Sequence, residues 1–130
     1  MEIVFLETIS LGEDIDLSRF DELGHVTKYK DTPVELVPER VKDADVVVIN
    51  KIPMNETTLA GALHLKLVAV TATGMDNIDR AYTDSRGIHS ANVAGYSTEA
   101  VAQHTFALMF YVLHKLAYYD HYVKSGAYCT

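Results

Sequence analysis

The chain has 130 residues, of which 48% are hydrophobic and 22% are charged, and its formal net charge is −7 at pH 7. This length suits one domain with a buried core and is too short for a two-domain enzyme. The negative charge disfavours binding to nucleic acids and anionic membranes, because both are polyanions. The single cysteine, Cys129, excludes an intrachain disulfide, and no signal-peptide pattern follows Met1, so we expect a cytoplasmic protein.

Short strand patterns alternate with short helix patterns along most of the sequence. Apolar or β-branched runs that predict strands lie at residues 2–7, 25–29, 46–49, 67–70 and 88–91. Helix patterns with Pro, Gly or capping residues at their ends lie at residues 18–23, 38–42, 55–63 and 78–85. This alternation predicts an α/β fold with right-handed crossovers. The simplest architecture is a flavodoxin-like parallel sheet of about five strands with flanking helices.

The last part of the sequence breaks this alternation. Ser97 is placed to cap a helix, Glu99 lies in its first turn, and neither Gly nor Pro follows before Gly126. The pattern predicts one long C-terminal helix of about 27 residues, or ~40 Å. Because this helix is apolar on nearly every side between Val101 and Leu116, we expect a further domain or a second copy of the chain to cover it.

Common catalytic and nucleotide-binding motifs are absent from the sequence. The seven glycines form neither G-x-G-x-x-G nor a P-loop, and C-x-x-C, H-E-x-x-H and G-x-S-x-G do not occur. His104, His114 and His121 are not spaced to put two ligands on one helix face, so no metal site is predicted. The uninterrupted apolar stretch at residues 106–113 is too short to span a bilayer, which needs about 20 residues.

One segment has the character of a binding site. The apolar run at residues 67–70 continues into a loop of small residues at 71–79, at the carboxyl end of a strand, where open α/β sheets bind ligands. Consecutive amides around Thr73 and Gly74, near the start of a helix, can hold a carboxylate. On the residues alone a simpler interpretation is favoured, in which Gly74 allows a tight turn and Asn77 or Asp79 caps the helix.

Several stretches together match one family in order and spacing, over roughly residues 45–105. They are N-K-I-P-M at residues 50–54, T-A-T-G-M-D-N-I-D at 71–79, R-G-I at 86–88 and N-V-A-G-Y-S-T-E-A-V-A at 92–102. The sequence resembles the D-2-hydroxyacid dehydrogenase family, and the first of these stretches, with Glu56, Thr57 and Leu59, resembles its glycerate dehydrogenase and hydroxypyruvate reductase branch. Ala94 and Gln103 depart from the common pattern, although both substitutions occur in that branch.

The resemblance implies a domain arrangement and an activity. Residues 1–96 are implied to be the N-terminal part of a substrate-binding domain, and residues 97–130 a long interdomain helix that leads toward a dinucleotide-binding domain absent from this sequence. The complete enzyme is implied to exchange a hydride between NAD or NADP and a small D-2-hydroxy acid or 2-oxo acid. The family's catalytic Arg, Glu and His have no matching positions here, so no catalytic residue is assigned. The chain alone is expected to be inactive and not to bind the cofactor tightly.

The same resemblance implies roles for five residues. Thr73 and Gly74 are implied to receive the substrate carboxylate on their backbone amides, and Lys51 to add positive charge at the mouth of that cleft. Thr73, Val101 and Thr105 are implied to lie beside the nicotinamide. Two alternatives stay open: Lys51 as an ordinary solvated lysine, and Val101 and Thr105 as ordinary core residues.

A second hypothesis belongs to another class of protein. It is a non-catalytic α/β module that forms a homodimer, or binds a partner protein, through its apolar helix. A response-regulator receiver shares the sheet topology but needs an acidic cluster after the first strand and an Asp at the end of the third. Glu7 and Glu13 are poor substitutes and the third strand ends in Asn50 and Lys51, so a receiver is discounted.

Overall fold

The computed structural model describes residues 1–129 and divides into two compact units, Met1–Ala94 and Gly95–Thr130. The strands of the first unit are β1 (Glu2–Phe5), β2 (His25–Lys28), β3 (Val46–Ile49), β4 (Leu67–Val70) and β5 (His89–Asn92). Its helices are α1 (Val37–Val41), α2 (Arg80–Ser85) and short 3₁₀ helices at Thr8–Ser10, Ser18–Glu22 and Val34–Leu36. The second unit contains α3 (Thr98–Leu113), α4 (Leu116–Lys124) and a 3₁₀ turn at Ala127–Cys129.

The five strands form one parallel sheet in the order β2-β1-β3-β4-β5, which confirms the predicted flavodoxin-like architecture. Val47 at the centre of β3 pairs with Val4 on one side and with Val68 on the other. These three side chains are buried in the main core cluster, together with Val37 and Val41 of α1. Burial of each such side chain contributes about 1.5–3 kcal/mol, so apolar contact with α1 stabilises this face of the sheet.

A carboxylate joins the amino ends of three strands. Asp45 Oδ2 accepts from the Glu2 amide at 2.9 Å, and Asp45 Oδ1 accepts from Lys66 Nζ at 3.0 Å. These hydrogen bonds, led by the one from the Glu2 backbone, hold the pKa of the Asp45 carboxyl below its usual value. The Asp45 carbonyl also accepts from the Lys66 amide at 2.8 Å, so this residue links β1, β3 and β4 before the apolar runs begin.

The predicted helix at residues 55–63 is wrong, because the segment forms turns in which side chains replace the helical bonds. Asn55 Oδ1 accepts from the amides of Thr57 and Thr58, at 3.0 and 3.2 Å. Thr58 Oγ1 donates back to the Pro53 carbonyl at 2.9 Å. Asn and Thr side chains that bond locally in this way compete with helix formation. Leu59 is nevertheless fully buried, so its hydrophobic pattern identified a core segment but not its conformation.

The helix predicted at residues 78–85 begins two residues later, at Arg80. Asp79, and not Asn77, caps it: Asp79 Oδ1 accepts from the Tyr82 amide at 3.0 Å. The helix is followed by Gly87 with φ of 68°, a left-handed conformation that glycine adopts without steric cost, as the stop pattern predicts.

The predicted single helix over residues 97–125 is also wrong, because Lys115 interrupts it with φ of 48° and ψ of 43°. Lys115 is the only non-glycine among residues 1–129 with positive φ. The preceding helix, α3, ends at His114, whose amide donates to the carbonyls of Phe110 and Val112. The next helix, α4, begins where the Tyr118 amide donates to the Lys115 carbonyl. Ser97 stands at the start of α3, but its side chain makes no capping hydrogen bond. Neither Gly nor Pro marks the break in the sequence.

The two helices of the second unit are apolar, and neither contains a buried residue. Aromatic rings follow one another along each helix: Phe106 stacks on Phe110 at 6.5 Å between centroids, and Tyr118 stacks on Tyr122 at 6.1 Å. Within residues 1–129 no helix combines the length and apolar character that a bilayer crossing requires.

The conformation of Lys115 makes Lys115→Gly a test of the helix break. Glycine adopts the left-handed conformation freely, whereas other residues lose about 1–2 kcal/mol there, so we expect the substitution to raise the melting temperature followed by circular dichroism. In an uninterrupted helix the same change would cost about 1 kcal/mol and lower the melting temperature. Ala117→Gly, inside α4, is the matched control and should be destabilising. A destabilised Lys115→Gly variant would contradict the break.

Candidate functional site

The carboxyl ends of the strands meet at one edge of the sheet, and the loops that follow them form the candidate site. The order of the strands reverses between β1 and β3, which is the point where open α/β sheets usually bind ligands. Three loops extend from this edge: Glu7 follows β1, residues 50–54 follow β3 and residues 71–79 follow β4. Asn92, the last residue of β5, completes the edge.

A side chain of the protein itself fills the crevice between β1 and β3. Glu7 Oε2 accepts from three consecutive backbone amides, those of Asn50 at 2.7 Å, Lys51 at 2.9 Å and Ile52 at 3.1 Å. Consecutive amides that converge in this way form an anion-binding concavity. The carboxylate of Glu7 therefore takes the place that an anionic ligand would take at this point of the sheet.

Asn77 holds the same loop from the side of β4. Its Nδ2 donates to the carbonyls of Ile52 at 2.9 Å and Asn50 at 3.3 Å. The backbone continues the connection, because the Met54 amide donates to the Asn77 carbonyl at 2.8 Å and the Asp79 amide donates to the Met54 carbonyl at 2.8 Å. The loop after β3 and the loop after β4 are thus hydrogen-bonded to each other.

The turn after β4 is fixed by its neighbours on both sides. The Thr71 amide donates to the Ile49 carbonyl at 2.8 Å. Thr73 Oγ1 donates to the Val93 carbonyl at 3.1 Å, and Asn92 Nδ2 donates to the Thr73 carbonyl at 2.6 Å. Since the hydroxyl hydrogen of Thr73 is already used, Oγ1 is available to a ligand only as an acceptor.

The backbone amides of Thr73 and Gly74 are candidate donors to an anion. Both residues are exposed, and neither amide donates to any group within residues 1–129. Two adjacent N–H groups without protein acceptors can bind one carboxylate. The helix that follows them, α2, begins at Arg80, six residues after Gly74, and its first turn is capped by Asp79.

Gly74 provides space and not an unusual conformation. Its φ lies outside the left-handed region, so the backbone at this position is accessible to any residue. A Cβ built there would lie 3.0 Å from Asp76 Oδ1 and would meet no other atom within 4 Å. A left-handed turn conformation therefore does not account for this glycine.

Comparison with known proteins identifies the family. The model of the D-isomer specific 2-hydroxyacid dehydrogenase catalytic domain matches residues 3–126. The chain belongs to this family. It is 35% identical to the glycerate dehydrogenase of Methylorubrum extorquens over 127 residues, which are 96% of this chain and 40% of that protein. It is 32% identical to the hydroxypyruvate reductase of Blautia hydrogenotrophica over 130 residues, which are 97% of this chain and 40% of that protein.

A solved structure has a similar fold. An acyclic imino acid reductase in complex with NADPH and D-Arg superimposes with a TM-score of 0.83 at 24% identity, over 97% of this chain and 41% of the other. The family resemblance seen in the sequence, including its glycerate dehydrogenase and hydroxypyruvate reductase branch, is confirmed. The chain spans about 40% of the length of the curated relatives it matches.

The remaining residues to which the family resemblance gave a role lie in two places. Lys51 is exposed on the loop that Glu7 holds, and no carboxylate within residues 1–129 pairs with its ammonium group. Val101 and Thr105 lie one turn apart on α3, in the second unit, and Thr105 Oγ1 donates to the Val101 carbonyl at 2.8 Å. Val101 is 61% exposed, so it is not a core residue within this chain.

The sequence does not predict the two residues whose side chains hold the loop after β3: it offers Glu7 only as a poor receiver acid and Asn77 only as a helix cap. The signal that points to Glu7 is its position two residues after β1, next to the loop after β3, at the topological switch point. Among the described residues no three His, Cys, Asp or Glu side chains come together as potential metal ligands.

Proposed function

We propose that this chain supplies the substrate-binding part of an NAD(P)-dependent D-2-hydroxyacid dehydrogenase, in the cytoplasm. The observation that carries the proposal is the pair of exposed amides of Thr73 and Gly74, which have no acceptor within residues 1–129, on a turn that is hydrogen-bonded to Asn92 and Val93. Glycerate and hydroxypyruvate, the substrates in the names of two relatives, both carry a carboxylate attached directly to the reacting carbon. Such a group matches two adjacent amide donors.

The proposed roles divide between binding and orientation. The amides of Thr73 and Gly74 hold the carboxylate of the acid, and Lys51 adds positive charge from the neighbouring loop. The nicotinamide group, when bound, donates or accepts the hydride. Thr73 Oγ1 fits this group as an acceptor for its carboxamide, because the hydroxyl hydrogen is donated to Val93. Val101 and Thr105, in the second unit, keep in this proposal the nicotinamide role that the family resemblance implies.

The 130 residues contain no recognisable motif that binds the phosphates or the adenosine of NAD or NADP. A dinucleotide-binding domain holds these groups through a G-x-G-x-x-G turn, and the sequence contains none. No His, Glu or Arg of this chain is assigned to proton transfer. We therefore propose that the chain by itself does not bind the cofactor tightly and does not turn over substrate.

The absence of turnover is a direct prediction. The chain alone, mixed with NADH and hydroxypyruvate or glyoxylate, should consume no NADH above the rate without protein, because hydride transfer needs groups that these residues do not provide. The glycerate dehydrogenase of Methylorubrum extorquens serves as the positive control under the same conditions. A rate of absorbance loss at 340 nm that rises in proportion to the chain would contradict the proposal.

Binding of the acid can be tested separately from turnover through Gly74. In ¹H–¹⁵N spectra, hydroxypyruvate should shift the amides of Thr73 and Gly74. Gly74→Ala should weaken this binding about tenfold, since the added Cβ narrows the approach to both amides, and a tenfold change corresponds to ~1.4 kcal/mol. The fold should be retained, because the new Cβ meets only the end of the Asp76 side chain.

Gly61→Ala is the matched control for this titration. Gly61 also lies outside the left-handed region, and a Cβ there would make ordinary contacts of 3.8 and 3.9 Å with Pro38 and Lys42. This variant should bind hydroxypyruvate as the unaltered chain does. Equal affinity of Gly74→Ala and Gly61→Ala would remove the turn after β4 from the proposed binding site.

A second candidate function, a module that forms a homodimer, is favoured by the surface of the second unit. Thirteen large hydrophobic side chains between Val101 and Val123 are at least 37% exposed. Together they present on the order of 1,000 Å² of apolar surface, taking the size of such side chains into account. A standard interface buries about 800 Å² from each partner, so the exposed apolar area of this unit is of the size that an interface requires. The two proposals share Val101, whereas the amide turn lies outside the dimer surface.

Association should be visible by size-exclusion chromatography with light scattering. The chain should elute as a dimer of twice 14.4 kDa, and Phe110→Glu should shift it to the monomer, because a charge at a buried interface is costly. Leu63→Glu, at a site that is 77% exposed in the first unit, is the control and should leave the dimer intact. A monomeric wild-type chain, or an equal effect of both variants, would contradict the proposal.

A further inference from the structure

The loop after β3 is held by five side-chain hydrogen bonds, none of which includes a group to which the proposed function assigns a contact with the substrate. Glu7 accepts three amide hydrogens of residues 50–52, and Asn77 donates to two carbonyls of the same segment. The five groups bonded in this way include every backbone amide of the segment and two of its three carbonyls. This loop carries Lys51, so the backbone that positions the lysine is fixed by Glu7 from the loop after β1 and by Asn77 from the turn after β4.

The carboxyl edge therefore contains two sets of amides that are suited to an anion. The set at residues 50–52 is occupied by Glu7, whereas the set at Thr73 and Gly74 has no acceptor within residues 1–129. The first set lies at the switch point between β1 and β3, where a ligand would ordinarily be expected. The internal carboxylate blocks that position and leaves the turn after β4 open.

We propose that Glu7 and Asn77 are positioning residues for the substrate acid: Glu7 closes the amides of residues 50–52 to external carboxylates, and both residues fix the loop that presents Lys51. This inference rests on the proposed function for its second half, because Lys51 assists only if an acid binds at Thr73 and Gly74. The first half, an internal carboxylate that occupies an anion-binding concavity, stands on the geometry alone. It predicts that removal of Glu7 creates a new site for small carboxylates.

Removal of the Glu7 side chain and removal of the Asn77 side chain should have different effects. In Glu7→Ala the amides of residues 50–52 lose their acceptor, and an external carboxylate of similar chemistry, such as acetate, can take its place. In Asn77→Ala the loop loses the donors to its carbonyls, but Glu7 still occupies the amides, so acetate gains no site. A purely structural role in packing would give no difference between the two variants in their response to acetate.

The experiment is amide exchange and ¹H–¹⁵N titration of the chain. In Glu7→Ala, hydrogen exchange at residues 50–52 should accelerate at least about tenfold, since three hydrogen bonds to a charged acceptor are lost. Millimolar acetate should shift these three amides and restore their protection, whereas acetamide, which has the same shape without the charge, should not. In the unaltered chain and in Asn77→Ala, acetate should leave residues 50–52 unmoved.

Two further variants complete the test. Glu56→Ala removes an exposed glutamate near the same loop for which no hydrogen bond or ion pair is formed within residues 1–129, and it should behave as the unaltered chain. Glu7→Gln keeps the shape and one acceptor oxygen without the charge; it should fold even if Glu7→Ala does not, and should show intermediate protection of residues 50–52. A folded Glu7→Ala variant whose amides ignore acetate, or protection in Glu7→Gln equal to the wild type, would overturn the proposed role of Glu7.

Titration with hydroxypyruvate distinguishes a failure of this inference from a failure of the proposed function. Hydroxypyruvate binding at Thr73 and Gly74 should weaken about tenfold in Glu7→Ala and recover in part in Glu7→Gln, as expected when Lys51 loses its fixed position. Failure of hydroxypyruvate to shift Thr73 and Gly74 in the unaltered chain would count against the proposed function. The acetate response at residues 50–52 would still decide whether Glu7 closes a carboxylate site.

Discussion

The site depends on the pairing of β3 between β1 and β4. Val47 pairs with Val4 and Val68 in register, and burial of these apolar side chains holds the three strands together. Because the strands are parallel, their carboxyl ends meet at one edge, where the ladder ends and the following amides lose their strand partners. The side chains that satisfy some of these amides, and leave others open, determine what the edge can bind.

Two neighbouring loops differ in how their backbone amides are satisfied beyond the ends of the strands. After β3, Glu7 supplies a carboxylate to three amides, and the chain thereby satisfies its own backbone. After β4, the side chains of Thr73 and Asn92 fix the turn through carbonyl groups, and the amides of Thr73 and Gly74 keep no acceptor within residues 1–129. In the proposed site, fixed placement of these two donors reduces the conformational freedom that is lost when a small acid binds. The family to which the chain belongs acts on acids that have such a carboxylate, which agrees with the arrangement.

The second unit presents a different physical problem. Its two helices have no buried residue, and apolar side chains such as Phe106, Met109 and Leu113 face outward on several sides. Such a surface is unfavourable in water and is covered in most proteins. The chain spans about 40% of the length of its curated relatives, and in the homodimer proposal a second copy of the chain covers the helices.

The sequence by itself determined the strands, their alternation with helices and the family, because apolar runs such as Val46–Ile49 have few alternatives and the motif at residues 71–79 is specific. It did not determine the break at Lys115 or the turns at residues 55–63. In the folded chain Lys115 adopts a left-handed conformation, and side-chain hydrogen bonds of Asn55 and Thr58 replace those of the helix that the local helix propensity predicts. Only tertiary structure brought Glu7 to residues 50–52, 43 or more positions away, since hydrogen bonds across such separations leave no periodic pattern in the sequence.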